Sequence, residues 1–227
     1  METAFDAVIV ANGQFPAHAV PLRILGEAKM VVACDGAVAH LSPLTSCCPL
    51  VIGDGDSVPA EYRDRLIKVS EQEDNDLTKA TRYCIKHLSP QASHPSPQAA
   101  NLSPLTSHSS PLKIAYLGAT GLREDHTLGN IALMVRYLRD FGVEPTMLTD
   151  YGWFTPAYGD RTFAARAGQQ VSILNFGCTH LASEGLRWDA YAYRELWQGT
   201  LNEAVGDSFV ISADGYYMVY QTYDVKK

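Results

Sequence analysis

The feature that most constrains this chain is a short apolar run broken by glycines and acids. Residues 50–52 (LVI) lead into Gly53, Asp54, Gly55 and Asp56. Similar punctuation recurs: residues 5–11 (FDAVIVA) stop at Asn12–Gly13, and residues 29–34 (KMVVAC) stop at Asp35–Gly36. Each run reads as a buried strand, and helical stretches are expected between them, over residues 20–27 and over 60–66 after Pro59. Apolar strands alternating with helices predict a parallel sheet with crossover helices. Sheets of that kind bind ligands at the carboxyl ends of their strands. Two carboxylates one residue apart repel unless a cation lies between them. A hard divalent cation such as Mg²⁺ suits them, because it takes oxygen ligands and carries substrate phosphates. Taken alone, the same residues are also an ordinary glycine-rich turn with solvated aspartates, so the rest of the chain decides.

Residues 71–79 (EQEDNDLTK) place a helix start at Asn75 or Asp76, both good N-caps. Leu77, Ala80, Thr81, Cys84, Ile85 and Leu88 then share one face at helical spacing. Capping and dipole complementarity explain one or two of the acids at that end, but not the whole cluster. Residues 113–117 (KIAYL) resume the sheet and run into 118–130, GATGLREDHTLGN. Gly118 and Gly121 permit a tight turn or a close backbone approach to a ligand. A turn of this type between strand and helix presents amide donors to phosphate. The spacing is neither G-x-G-x-x-G nor a P-loop, so dinucleotide and Walker chemistry are not indicated. Leu128, Ile131, Ala132, Val135 and Leu138 mark the following helix, Gly142 is its expected terminator, and residues 145–149 form the last strand of a domain spanning 1–149.

Between these lies a different material. Residues 89–111 are rich in Ser, Pro, His and Ala and almost uncharged, which predicts a disordered surface insertion. From residue 150 helical periodicity fades. Short β-type runs over 162–165, 170–176, 185–193, 208–212 and 216–223 predict a small antiparallel β-sandwich domain over 150–227. A domain of that size buries little core alone, so it is expected to lean on the first domain or on a second copy.

Composition narrows the function. With 18 basic against 25 acidic residues the formal charge is −7, which argues against a nucleic-acid partner. The five cysteines (34, 47, 48, 84 and 178) contain no C-x-x-C pair, so neither a disulfide framework nor a zinc site is expected, and a reducing cytoplasm fits. No apolar run approaches the roughly 18 residues of a membrane span, and no cleavable leader is expected at the amino terminus.

Four carboxylates therefore gather at expected strand ends and helix starts: Asp54, Asp56, Asp76 and Asp125, with Arg123 beside the last. Phosphoryl transfer needs such a set: acids for Mg²⁺, a base for the attacking hydroxyl, and a cation for developing charge. Asp76 or Asp125 would orient the hydroxyl, and Arg123 offers a planar fork to phosphate. Trp188 is either a stacking platform for a cationic heterocycle or a core residue of the second domain.

In their order, ACDGA (33–37), IGDGDS (52–57), the stretch ending NDLTK (72–79), GATGLREDHTLGN, GLRW (185–188) and GTLNE (199–203) resemble the thiamine pyrophosphokinase family across nearly the whole chain. The resemblance implies transfer of the terminal diphosphate of ATP to the hydroxyethyl group of thiamine, releasing AMP. It implies Mg²⁺, and a homodimer with active sites shared at its interface. Asp54, Asp56, Asp76 and Asp125 match the family's catalytic and metal-holding acids. Asp35, Ser57, Thr78, Lys79, Thr120 and Arg123 fall at nucleotide-side positions, and Gln72, Trp188 and Asn202 at thiamine-side positions. Two rivals stand beside it. A phosphatase of the haloacid-dehalogenase type also carries D-x-D at a strand end, but expects D-x-D-G-T where this chain has Ser57–Val58. A nucleotide or metal sensor predicts binding without turnover.

Overall fold

The computed structural model describes residues 4–41, 45, 47–69, 73–89 and 110–225. The amino-terminal half runs β1 (Ala7–Val10), α1 (Ala19–Gly26), β2 (Val31–Cys34), β3 (Leu50–Gly53), β4 (Leu66–Lys68), α2 (Asp76–Leu88), β5 (Lys113–Leu117), α3 (Glu124–Phe141) and β6 (Glu144–Leu148). These six strands pair in parallel, in the order β4-β3-β2-β1-β5-β6. The chain works outward from β1 to one edge and returns to β1's other side at β5. The strand order therefore reverses between β1 and β5, which is where doubly wound sheets open a crevice for ligands.

Alternation along the strands sorts the core into two layers. Ala7 and Ile9 pack with Leu77, Ala80, Met134 and Tyr137 of α2 and α3, while Val8 and Val10 face Ile24 and Leu25 of α1. β1 and β2 are buried throughout, as expected of strands covered on both faces. The predicted helix over 60–66 is instead a 3-10 turn, Ala60–Arg65, followed directly by β4. It has no buried residue, and so no apolar face to anchor a longer helix.

The carboxyl-terminal half continues the same sheet. β7 (Gly152–Tyr158) turns back beside β6, with Met147 opposite Phe154 and Leu148 opposite Trp153. The expected boundary at 149/150 falls in this turn. β9 (Gln169–Asn175), β11 (Asn202–Glu203) and β13 (Tyr216–Val225) extend the sheet to ten strands, ending β6-β7-β13-β9-β11. A second sheet, β10-β12-β8, is made of Leu181–Glu184, Ser208–Ala213 and Arg161–Ala164. The two sheets bury Phe163, Ile173, Phe209, Ile211, Tyr217 and Val219 between them. The carboxyl-terminal half is thus a sandwich, one of whose sheets is an extension of the parallel one.

The strand predicted over 185–193 is not one. β10 stops at Glu184, Gly185 turns with φ +82°, and only an isolated bridge from Leu186 to Ala204 follows. The expected insertion over 89–111 lies mostly outside the described residues, as does Gln72.

Candidate active site

The switch point is built by backbone. Beyond β1 and β5 the chains stay tied: Gly13 N–H donates to the Gly118 carbonyl at 2.8 Å, and Gln14 N–H to the Thr120 carbonyl at 2.9 Å. Gly13 has no alternative here, because a Cβ would lie 2.4 Å from the Gly118 oxygen. Gly118, Gly121 and Leu122 all take positive φ, and Asn130 of α3 holds the turn by donating its Nδ2 to the Ala119 carbonyl at 2.8 Å. These contacts frame a cavity of about 370 Å³ whose wall includes Asn12, Asp35, Ser57, Asp76, Arg123 and His126.

The loop after β3 forms one side. Of that loop Ser57 lines the cavity; Asp54 and Asp56 precede it outside the lining, half-buried and exposed respectively, with Asp56 N–H donating to Asp54 Oδ1 at 3.1 Å. Asp35 lies underneath, buried, and its carboxylate accepts hydrogen bonds from Gly55 and Ser57.

The start of α2 forms the second side. Asn75 is the N-cap, and its Oδ1 accepts from Thr78 N–H at 3.0 Å and from the Thr78 hydroxyl at 2.8 Å. The Thr78 oxygen also bonds the Tyr137 hydroxyl at 2.7 Å, so Thr78 is engaged inside the protein. Asp76, one residue into the helix, faces the cavity and pairs with the buried Lys79 ammonium at 3.1 Å. Asp74 is buried just before the helix and binds Arg82 at 2.9 Å and Arg136 at 3.3 Å, which joins α2 to α3.

Arg123 closes the third side, at the start of α3, and Asp125, outside the lining, is paired with it. Their contact is bidentate, Nε to Oδ1 at 3.1 Å and NH2 to Oδ2 at 2.6 Å, and both side chains are exposed. The guanidinium hydrogen bonds hold the Asp125 carboxyl below its ordinary value. Thr120 is half-buried in the turn between β5 and α3, where its carbonyl receives Gln14.

Trp188 and Asn202 meet each other but not this mouth. The buried Asn202 amide accepts from Trp188 N–H at 3.2 Å and from Glu203 N–H at 2.8 Å, and donates to the Trp188 carbonyl at 2.7 Å. The Trp188 ring is 55% exposed, which removes the core-residue reading. Asn202 begins β11, and Asp54 follows β3, eight inter-strand steps away across the sheet. At about 4.8 Å per step that is on the order of 40 Å.

Among the described residues no three His, Cys, Asp or Glu side chains converge as a metal-holding group. The four aspartates therefore do not form one protein cage: Asp76 answers Lys79, and Asp125 answers Arg123. The donor set does fit a hard cation held by one or two carboxylates with phosphate oxygens completing its shell. Sequence reasoning took Asn12–Gly13 only as a turn and did not single out Asn130. The available signal for the first was its place at the end of the central strand.

Two family models match the chain: residues 22–144 match the catalytic domain of thiamin pyrophosphokinase, and residues 152–220 its substrate-binding domain. No curated protein matches. Among solved structures, yeast thiamin pyrophosphokinase aligns with a TM-score of 0.76 at 17% identity, over 98% of this chain and 87% of its own. The enzyme from Candida albicans aligns at 0.74 and 14%, over 99% and 95%. That from Geobacillus thermodenitrificans aligns at 0.69 and 19%, over 96% and 97%.

Proposed function

The chain belongs to the thiamin pyrophosphokinase family, and from that premise we propose that it transfers the terminal diphosphate of ATP to the hydroxyethyl oxygen of thiamine at the β1/β5 switch point. In this step the alcohol oxygen forms a bond to the β-phosphorus, the bond from that phosphorus to the α-bridging oxygen breaks, and AMP leaves. The hydroxyl proton passes to a carboxylate, Asp76 or Asp125. The observation that carries the reading is the cavity itself, whose wall combines Asp76, Arg123 and the Gly118–Gly121 turn beside the loop of Asp54 and Asp56.

The residues divide the work by chemistry. Backbone amides of the glycine turn, which lines the cavity, suit phosphate oxygens. Arg123 offers its fork to the transferring group once phosphate displaces Asp125 from it. Lys79 is buried behind Asp76 and pairs with it, so its charge reaches the site through that carboxylate. Asp54 and Asp56 are the carboxylates that would hold Mg²⁺ with ATP, and Asp76 lies within the same mouth. When bound, such an ion neutralises phosphate charge and orients the leaving group.

Thiamine recognition is assigned to Trp188 and Asn202. The exposed indole suits a cationic ring, and Asn202 fixes the backbone that carries it. Because Asn202, which Trp188 contacts, lies eight inter-strand steps from the strand before Asp54, on the order of 40 Å measured along the sheet, the reading includes a homodimer in which the second copy supplies them. Tyr191, Leu196, Trp197 and Leu201 are exposed apolar side chains near Trp188 in sequence, of the kind that interfaces cover. Among the described residues no helix is long and apolar enough to cross a membrane.

Mixing two variants at a thiamine concentration too low for Trp188→Ala to turn over tests the shared site. Asp54→Asn and Trp188→Ala each damage a different half, so random exchange into a two-fold dimer leaves one intact site in half of the molecules. Activity should return to about one quarter of the wild-type level. Absence of recovery in a mixture shown to exchange subunits would refute the sharing.

A further inference from the structure

We propose that Asp35 is a positioning residue, whose carboxylate sets the conformation of the loop carrying Asp54 and Asp56 and turns both its oxygens to that loop rather than to the nucleotide. The inference rests on the proposed phosphoryl-transfer site and deepens it. Asp35 Oδ1 accepts from Gly55 N–H at 3.2 Å, and Oδ2 accepts from Ser57 N–H at 3.1 Å and from the Ser57 hydroxyl. The two amides flank Asp56 and follow Asp54, so one buried anion fixes the backbone on both sides of the exposed acid. A carboxylate that receives three donors is a strong acceptor, and its hydrogen bonds are charge-assisted.

Two independent features show that the fold is shaped around this contact. Asp35 has φ +47°, a left-handed conformation uncommon outside glycine, which Asp adopts where its side chain hydrogen-bonds nearby backbone, as here. Gly53 lies against it: a Cβ there would come within 2.9 Å of Asp35 Oδ1 and 3.0 Å of its Cβ. The glycine ending β3 thus admits the carboxylate beneath the loop, and the left-handed residue that follows β2 delivers it. The sequence repeats an acid beside a glycine at the two strand ends because the first acid supports the loop of the second. Asp35 is 8% exposed, so it borders the cavity while its oxygens point into the loop.

Hydrogen exchange on the full-length chain without ligands, read together with melting and steady-state kinetics, tests the proposal. Asp35→Gly removes the anion at a left-handed position that glycine adopts freely. It should melt within a few degrees of wild type, while exchange at Gly55 and Ser57 accelerates at least tenfold and kcat falls on the order of 10- to 100-fold with the KM for ATP little changed. Asp35→Asn, which tolerates the left-handed backbone but turns an amide donor toward Ser57, should show the same pattern and covers the case in which the glycine variant does not fold. Two results would overturn the proposal. One is a raised KM for ATP with the loop amides still protected, which would make Asp35 a direct nucleotide contact. The other is accelerated exchange with undiminished kcat. The exchange measurement reads the loop whether or not ATP is turned over, so failure of the proposed reaction remains separable from failure of the pin.

Discussion

Asn202→Ala should loosen the wall that presents Trp188 and lower stability by a measurable amount. Asn202 is 4% exposed, and its side chain makes three hydrogen bonds, two to the Trp188 backbone and one to Glu203 N–H. Each is worth about 1 kcal/mol net, and a buried partner left unpaired costs more. Trp188 is half-exposed, so water recovers part of that loss, and about 2 kcal/mol is the expected total. For a chain of this size each kcal/mol moves Tm by about 2–4 °C, which gives a fall of about 4–8 °C. Thermal unfolding followed by near-ultraviolet circular dichroism reads both the midpoint and the environment of the indole. Trp188→Ala is the control: an exposed side chain contributes within about 0.5 kcal/mol, so its Tm should stay within about 2 °C. Both variants should raise the KM for thiamine. If Asn202→Ala melts with the wild type, the amide does not hold the Trp188 segment and the reasoning fails.

Asp54→Asn should abolish turnover and leave Tm within about 2 °C, since the side chain is half-buried and has a single backbone partner; retained activity would remove it from the site. Gly13→Ala should force the β1 and β5 ends apart, because its Cβ would lie 2.4 Å from the Gly118 oxygen. A loss of about 1–3 kcal/mol in urea unfolding is expected, with weaker ATP binding. Asp125 should titrate below the ordinary aspartate range because Arg123 donates to it, and carbon-detected NMR on Arg123→Ala should show it return. Its folded pKa is depressed, so the pair's contribution is present above the ordinary value and is lost as pH falls through the folded one. The same pair should break on binding ATP at neutral pH, shifting the Arg123 Nε resonance.

Local signals in the sequence account for much of the site. Asn75 caps α2 and Gly142 ends α3 in a left-handed conformation, both where residue chemistry puts them. The acid–glycine junctions at 35–36 and 53–56 end β2 and β3. Elements without a local signal were not legible. β7 contains Gly152 and Pro156, which demote a strand in sequence. Pro156 is tolerated because β6 pairs only as far as Phe154, so the missing N–H faces no partner on that side. β4 has three residues and β11 two, too few to show a period. Residues 185–193 look β-like, yet Gly185 turns the chain out of its sheet after Glu184. The role of Asp35 is a tertiary fact, since its partners lie 20 and 22 residues away. No window of adjacent residues shows that Asn202 and Asp54 lie at strands eight steps apart either; that follows only from the strand order.

One measurement tests diphosphate transfer most directly. The full chain is incubated with ATP, Mg²⁺ and thiamine, and the nucleotides and thiamine species are separated. Formation of AMP and thiamine diphosphate in equal amounts, dependent on both thiamine and Mg²⁺, is the predicted result. Accumulation of ADP or free phosphate, or binding of ATP with no turnover, would contradict it.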